Sequence, residues 1–592
     1  MIWSTLLNCV LTSAILPATN PTPTPVCVAD RASEDVVVKA IEMWLKLYRT
    51  GKLDVPDEGA LTKGKPRSKK TFVSIKLGIL PESRLAAEGP EALTHFRELQ
   101  ELCKRAAKLG TAEAVDALIE VAAVGADGKK VDVTLVPSVV SQVGDEALSE
   151  IRSDAARNRL AELAKSGSET ERIAALRALG WGKREEDRPT FEAALGDESL
   201  EVRRAAAKGL SRAVLPNAIE SLADRLQREE NELALGDCID ALVATIDTLE
   251  SGEQHQRVLR RAATSAIRLL GKHSWQVDLA TIQLMERVRA ADSVPALIDL
   301  LQRWVEADDS SKLGETSGLV RESAYELLVS LSGATFPKDR PDQWKEWWER
   351  VHDEFKVVDL AEVKAKQKAH RTSTGSFFGI PVRGSHVLFI CDFSGSMEWP
   401  SADVDEESGK QISKMEVARR ELKGAIHSMA ADGHFGLVHF ATDAEAWNKK
   451  LLEASAANKK KFDKFIDKAR PLGGTNVWGG LKIGFDMKGN KTEGKVERYD
   501  SNVDEIFILS DGAPSFGEII DPEQILAAVR QANAHRRIRI NTVFIEGPED
   551  EQKMKDSRIR YPFTMSGKEL MRRLAEQNGG IYIEPGETRL NR

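Results

Sequence analysis

Asp392-Phe393-Ser394-Gly395-Ser396 directly follows the apolar run Val387 to Cys391. Such a run is what a central parallel strand buried on both faces requires, and open α/β sheets place ligand sites at the carboxyl ends of such strands. Two further stretches offer the same kind of group. Gly473-Gly474-Thr475-Asn476 precedes a helical pattern, and Ile506 to Leu509 is an apolar strand that ends in Ser510-Asp511-Gly512. Two carboxylates and three hydroxyls are thereby offered to one place: Asp392, Ser394, Ser396, Thr475 and Asp511. An oxygen-only set suits a hard cation, and Mg²⁺ takes one or two carboxylates while keeping waters; softer metals ask for His or Cys. Gly395 lets the first loop turn tightly enough for the hydroxyls on either side of it to face one ion. No G-x-S-x-G elbow surrounds Ser394, so the serine reads as a ligand and not as a nucleophile. Asp511-Gly512 taken alone is an ordinary turn at a strand end. His427, His434 and His439 have no ligand spacing to one another and read as surface or satisfied core histidines.

On these three elements, in this order, the segment from about Ser385 to the C-terminus resembles a von Willebrand factor type A domain with a complete metal-ion-dependent adhesion site. The resemblance implies a doubly wound sheet with helices on both faces. It also implies a site in which Ser394, Ser396 and Thr475 ligate Mg²⁺ (or Mn²⁺ or Ca²⁺) directly while Asp392 and Asp511 act largely through water. A carboxylate from a protein partner then completes the octahedron. The predicted elements agree with that fold: a helix from about Lys414 to Met429, a strand Phe435 to Phe440 and a helix around Lys459 to Ala469. They continue with a strand Asp504 to Leu509, a helix Pro522 to Asn533, a strand Ile538 to Ile545 and a last helix and strand within Lys568 to Glu584. Between the first loop and the first helix lies an acidic insertion, residues 401–411, with Asp403, Asp405, Glu406 and Glu407. Its expected state is a solvated loop. Trp399 borders the site, either as a partner contact or as a cover for the loop.

The elements upstream are of another kind. Arg172, Ala174, Ala175 and Leu179 align with Arg203, Ala205, Ala206 and Leu210 at an offset of about 31 residues, read directly from the positions. Weaker copies follow at Leu235 to Leu242, Leu259 to Leu270 and Val320 to Leu328, with second-helix patterns at Ala114 to Ile119 and Ser293 to Ile298. Self-similarity at this period, with alanine where helices must approach closely, marks a helical solenoid, and the pattern resembles HEAT repeats. Solenoids present extended surfaces to protein partners; the plainer reading is a structural spacer. Trp344, Trp347 and Trp348 suggest a cap on the last repeat, with a carbohydrate platform as the other reading. Ile41, Trp44 and Leu45 give the helical segment Val36 to Tyr48 one buried face.

A chain of 592 residues is too long for one core. The expected organisation is a signal peptide over 1–29, a helical region over 30–90, HEAT-like repeats over 91–355, a linker over 356–384 and the type A domain over 385–592. The fold class is therefore an α-solenoid followed by a mostly parallel α/β domain. With 84 basic against 92 acidic residues, the chain has no overall basic field for nucleic acid. The basic cluster Lys63 to Lys70 reads as a solvated loop. Ile2 to Leu16 is apolar but short for a bilayer span, and Val26 to Ala29 supplies small residues before Asp30, which reads as an export signal. A short buried helix and a retained anchor are the other readings. No second long apolar run occurs. Beyond residue 29 only Cys103, Cys238 and Cys391 remain, too few and too scattered for a disulfide framework. Two functions fit. One is an exported, non-enzymatic binding or scaffold protein that meets one partner through the metal site and another through the repeats. The other is an adaptor subunit of an ATP-driven, chelatase-like machine, the ATPase being a separate chain because no G-x-x-x-x-G-K-S/T is present here.

Overall fold

The computed structural model describes residues 26–49, 90–123, 139–249, 253–306, 318–359, 375–404, 411–431, 433–487, 503–534, 536–548, 550 and 563–585. The apolar segment before residue 26, the Lys63 to Lys70 cluster, most of the expected linker and the acids Asp405, Glu406 and Glu407 lie outside these residues. Two compact units result, one ending at Val258 and one starting at Leu259.

The repeat copies that fall in the first unit lie on helices. Helices Glu169–Gly182 and Leu200–Ala213 carry the two strongest copies, and their aligned alanines and leucines are buried. Five of these helices start where a short polar side chain can accept an otherwise unpaired backbone N–H: Thr111, Ser153, Ser168, Ser199 and Asn231 all cap in this way. Ser168 also forms a reciprocal capping box with Glu171. The two repeat helices touch backbone to backbone, since a Cβ on Gly180 would lie 2.9 Å from the carbonyl oxygen of Gly209. Arg172 donates to the Gly167 carbonyl (3.0 Å) and to Asp197 (3.3 Å). Arg203, its counterpart in the next repeat, donates to the Asp197 carbonyl (3.0 Å) and to Glu229 (2.8 Å). The aligned arginines thus make equivalent ties across successive turns of the solenoid. Ile41, Trp44 and Leu45 are fully buried on helix Val26–Arg49.

The second unit contains helices Trp275–Val288, Ser293–Glu306, Gly318–Ser332 and Pro341–Val351, followed by the sheet domain. Trp344 is wholly buried, with edge-on contacts to Phe336 (5.2 Å) and Trp347 (5.9 Å). These rings pack on one another. The strands are β1 (Ser376–Phe377), β2 (Ile380–Pro381), β3 (His386–Asp392), β4 (Pro400–Val404), β5 (Gln411–Ser413), β6 (His434–Phe440), β7 (Ala444–Ala446), β8 (Leu452–Glu453), β9 (Glu505–Ser510), β10 (Arg539–Phe544) and β11 (Tyr582–Ile583). The main sheet runs β11-β10-β9-β3-β6-β7, with β8 also on β6. Its first five strands are parallel, and β7 and β8 are antiparallel additions at one edge. From β3 the chain moves outward to β6 and then returns to the other side of β3 as β9. The carboxyl ends of β3 and β9 therefore flank the switch point where such sheets bind ligands.

Two boundaries differ from expectation. Residues 356–384 were expected to be a linker, yet β1 and β2 form a hairpin whose Phe377 and Ile380 are fully buried in the sheet domain's core. Phe377 packs on Phe389 (5.3 Å) and Phe507 (5.7 Å), so the domain begins upstream of Ser385. The turn between the strands needs φ > 0 at both Phe378 and Gly379, which is the tight hairpin geometry. At the two ends of the acidic insertion the described residues pair as β4 and β5 and are not a solvated loop, and Ser401 is buried with its hydroxyl donating to the Ile412 carbonyl.

The opposite end of the sheet is tied down by buried acids. Asp504 accepts the Ser385 and His386 amides (3.0 Å each), and Glu505 accepts those of Arg383 and Gly384 (2.8 Å each). From the helical segment of the same unit, Glu326 pairs with Arg383 at 2.8 Å, and the Gly318 amide donates to the Ser385 hydroxyl. No helix of the described residues is long and apolar enough to cross a membrane.

Candidate functional site

The apolar run ahead of the pentapeptide is the central strand β3, and it delivers Asp392 to the switch point completely buried. Both carboxylate oxygens are engaged. Oδ1 accepts the Ser394 amide (2.7 Å), and Oδ2 accepts the Ser510 hydroxyl from the neighbouring strand (2.6 Å). Burial, with Asp511 nearby as the second cause, pushes Asp392 up to about 7. The Ser394 and Ser396 hydroxyls lie 3.1 Å apart, and Ser396 donates to Oδ1 of Asp511 at 2.8 Å. A 3₁₀ turn, Gly395–Glu398, holds both serines on one side of the loop.

Backbone bonds lock the threonine loop to the first loop. The Gly395 amide donates to the Gly473 carbonyl (3.0 Å), and the Leu472 amide donates to the Phe393 carbonyl (2.8 Å). Gly473 adopts φ +87°, a conformation that side chains resist. Thr475 receives the Ser515 and Phe516 amides on its carbonyl and gives its own amide to the Ser515 hydroxyl. Its side chain is buried, yet its hydroxyl forms no hydrogen bond among the described residues. A Cβ on Gly512 would lie 3.6 Å from that hydroxyl, which places the threonine beside the Asp511 loop. Asn476 caps the following helix, Val477–Asp486. All five residues singled out from sequence meet at this one point of the fold.

Sequence reasoning missed the groups behind Asp511. Oδ2 of Asp511 accepts from the ammonium of Lys414 at 2.7 Å, and the same ammonium reaches Asp550 at 2.7 Å. The side chains of Lys414 and Asp511 are both fully buried. Burial pushes the Asp511 carboxyl up and Lys414 draws it back down. One signal was present. Lys414 is the first residue of helix Lys414–Ser428, after its N-cap Ser413, where the helix dipole disfavours positive charge unless acids compensate it. The Trp399 ring lies 5.3 Å from this ammonium, a cation–π contact that holds it as a cover. Around the mouth, Leu472 is 78% exposed and Phe516 is 38% exposed, with the Phe516 ring filling the space where a side chain on Gly474 would go. Among the described residues no group of three or more His, Cys, Asp or Glu converges, so the donor set here is dominated by hydroxyls.

Known proteins resemble the chain in separate parts. The HEAT-repeat family matches residues 157–243, and the von Willebrand factor type A domain family matches residues 402–556, a stretch that contains Thr475 and Asp511 and starts after the pentapeptide. Similar curated proteins include inter-alpha-trypsin inhibitor heavy chain H1 of Sus scrofa, 28% identical over 147 residues, covering 25% of this chain and 15% of that protein. Heavy chain H4 of Homo sapiens is 30% identical over 159 residues, covering 27% and 15%. The chain thus spans about 15% of the length of these relatives. Among solved structures, an aerotolerance-related membrane protein from Bacteroides fragilis aligns at 18% identity with a TM-score of 0.24, covering 35% of this chain and 95% of that one. Yeast importin-beta aligns at 12% identity with a TM-score of 0.32, covering 60% and 41%. Two families are therefore matched within one chain, HEAT repeats over residues 157–243 and a von Willebrand factor type A domain over residues 402–556.

Proposed function

We propose that the sheet domain binds a protein partner through a divalent cation and that the chain is a binding protein rather than an enzyme. The observation that carries this reading is the division of labour among the oxygens. Both carboxylates of the pair Asp392 and Asp511 are already occupied by protein donors, which leaves the hydroxyls of Ser394, Ser396 and Thr475 as the groups to hold an ion. The Thr475 hydroxyl fits that role, because it has no hydrogen bond among the described residues and is not an enclosed atom, which leaves its oxygen open to an ion. An oxygen-only set fits Mg²⁺ or Mn²⁺ in preference to softer metals. A cation bound there supplies a Lewis-acidic position for a partner's carboxylate. The protein's own residues orient the hydroxyls, exclude water beneath the site and withhold direct anionic ligands, so that an acidic partner is favoured. The matched type A family and the relatives support a protein-interaction role for the domain. The repeats would serve as a second interaction surface. The export reading of the N-terminal segment belongs to the same proposal and is checked by N-terminal sequencing of native material.

The test is metal titration of the full chain by calorimetry and thermal melting, paired with a pull-down from native extract with and without EDTA. At a hundredfold excess over its Kd, Mg²⁺ should stabilise the fold by about 2.7 kcal/mol. Asp392→Ala should abolish that shift while leaving the metal-free fold intact, since β3 is held by its own buried residues. Thr475→Ala should weaken capture of the partner more than it weakens binding of the bare ion. Metal binding by Asp392→Ala equal to that of the wild type would end this reading. Capture that is insensitive to EDTA, recovering an ATPase, would turn it toward the adaptor function.

A further inference from the structure

We propose that Lys414 is a built-in counter-cation that keeps Asp511 out of direct metal ligation and so makes the site depend on a partner's carboxylate. This inference rests on the metal-bridged reading above. The two oxygens of Asp511 face different groups: Oδ1 takes the Ser396 hydroxyl at 2.8 Å and Oδ2 takes the Lys414 ammonium at 2.7 Å. A carboxylate held in that way orients the hydroxyl of a metal ligand and is not itself a ligand. The ammonium cannot easily leave. It is fully buried, it bridges Asp511 and Asp550, and Asp550 is itself fixed by the Gly547 amide at 2.8 Å. Gly547 closes over it: a Cβ there would lie 2.1 Å from the Pro400 carbonyl oxygen and 3.2 Å from Cε of Lys414. The Lys414 amide is bonded to the Trp399 carbonyl at 3.0 Å, so the first metal loop, the Asp511 loop and the 547–550 turn all meet at this side chain.

The consequence concerns charge. With Lys414 in place, a neighbouring positive charge offsets Asp511, and a divalent ion finds neutral hydroxyls on the protein side. Without it, Oδ2 of Asp511 is released and the site gains both an anionic ligand and a more negative potential. The cation would then be bound more tightly, and a partner's carboxylate would be needed less.

The experiment uses the full chain as wild type, Lys414→Met and Lys414→Arg. Mg²⁺ and Mn²⁺ are titrated by calorimetry, water-proton relaxation counts the waters on bound Mn²⁺, and melting is followed without metal. Lys414→Met should bind Mn²⁺ about tenfold more tightly, because a positive charge near the ion is removed. It should also retain one water fewer on the ion and melt roughly 10 °C lower without metal, because the buried Asp511 and the partly buried Asp550 lose their shared partner. Lys414→Arg should keep the affinity and water count of the wild type. A purely structural lysine would lower the melting temperature and change neither affinity nor water count, which overturns the proposal. Should Lys414→Met fail to fold, Lys414→Gln keeps one hydrogen bond without the charge, and it must shift affinity and water count in the same direction. No metal binding by the wild type overturns this proposal together with the site reading. Binding by the wild type with equal or weaker binding by the neutral variants overturns the role of Lys414 and leaves the metal site standing.

Discussion

Both the repeat helices and the sheet domain hold charge in partly or fully buried pairs, and they satisfy it over different distances. In the repeats, Arg172 finds Asp197 and Arg203 finds Glu229, acids 25 and 26 residues further along the chain. At the site, Ser510 reaches Asp392 across 118 residues, Ser396 reaches Asp511 across 115 and Lys414 reaches Asp550 across 136. A solenoid contacts only its neighbours, so its buried charges recur with its period. A doubly wound sheet brings together strand ends that are remote in sequence, so its charges meet once, at the switch point. Polar burial therefore fixes spacing in the first case and creates a site in the second.

If that contrast is right, the largest stability effect within the repeats should come from breaking one rung of their ladder. Arg203→Ala leaves the buried Glu229 carboxylate with one fewer cation and frees the Asp197 and Glu198 carbonyls. The expected cost is about 3 kcal/mol, because a buried acid loses a partner. Urea denaturation of the full chain, read against Arg203→Lys, measures it, and Mg²⁺ affinity should not change. A loss below 0.5 kcal/mol, on the order of a surface pair, would remove the distinction between a rung and an exposed contact.

The same contrast explains what was legible in the sequence. The repeat helices were readable because Arg172 and Arg203, with their alanines, recur at one offset and do equivalent work. The parallel strands were readable as apolar runs, and the five site residues because two of those runs end in an acid and Thr475 sits in a glycine loop between them. Lys414 was not, because its partners lie 97 and 136 residues away and no local pattern joins them. Its place on a helix N-terminus was the one anomaly that pointed to it. Edge strands β7 and β8, three and two residues long, are too short to show an alternation. The β1–β2 hairpin lies in the stretch expected to be a linker, because the depth to which Phe377 enters the core comes from Phe389 and Phe507, contacts that sequence spacing does not encode.

A smaller effect is expected at the other end of the sheet, where His386 and His434 stack at 4.6 Å. Burial, and then the neighbouring His434, lower His386 to about 4. A histidine depressed in the folded state stabilises the protein above its unfolded value near 6.5. That stability is lost as the pH falls from 6.5 toward 4, because the unfolded chain takes up the proton first. Between pH 7.5 and pH 5 the loss should be about 2 kcal/mol. Urea midpoints across this range, for the wild type and for His386→Gln, isolate the term. Equal pH slopes in the two proteins would show that His386 does not titrate differently on folding, and that the acid sensitivity of this end of the sheet comes from its other ties, such as Asp504 and Glu505.

The smallest effect should come from an ion pair of the same sheet domain that differs from Lys414 and Asp511 chiefly in exposure. Arg420 donates to Asp403 at 2.8 Å, joining helix Lys414–Ser428 to the β4–β5 hairpin, but half of the Arg420 side chain faces solvent. Water screens the pair and the long side chain gives up entropy to hold it, so Arg420→Ala should cost about 0.5 kcal/mol or less. The hairpin has other anchors, since the Ser401 hydroxyl bonds the Ile412 carbonyl and the Lys414 amide bonds the Trp399 carbonyl. Thermal melting of Arg420→Ala beside Lys414→Met therefore compares two pairs of similar length in one domain, one wet and one dry. A loss of about 2 kcal/mol or more for Arg420→Ala would exceed what an exposed pair supplies. It would mean that the hairpin depends on this contact to stay folded over the site, and that exposure does not separate structural charge from functional charge in this domain.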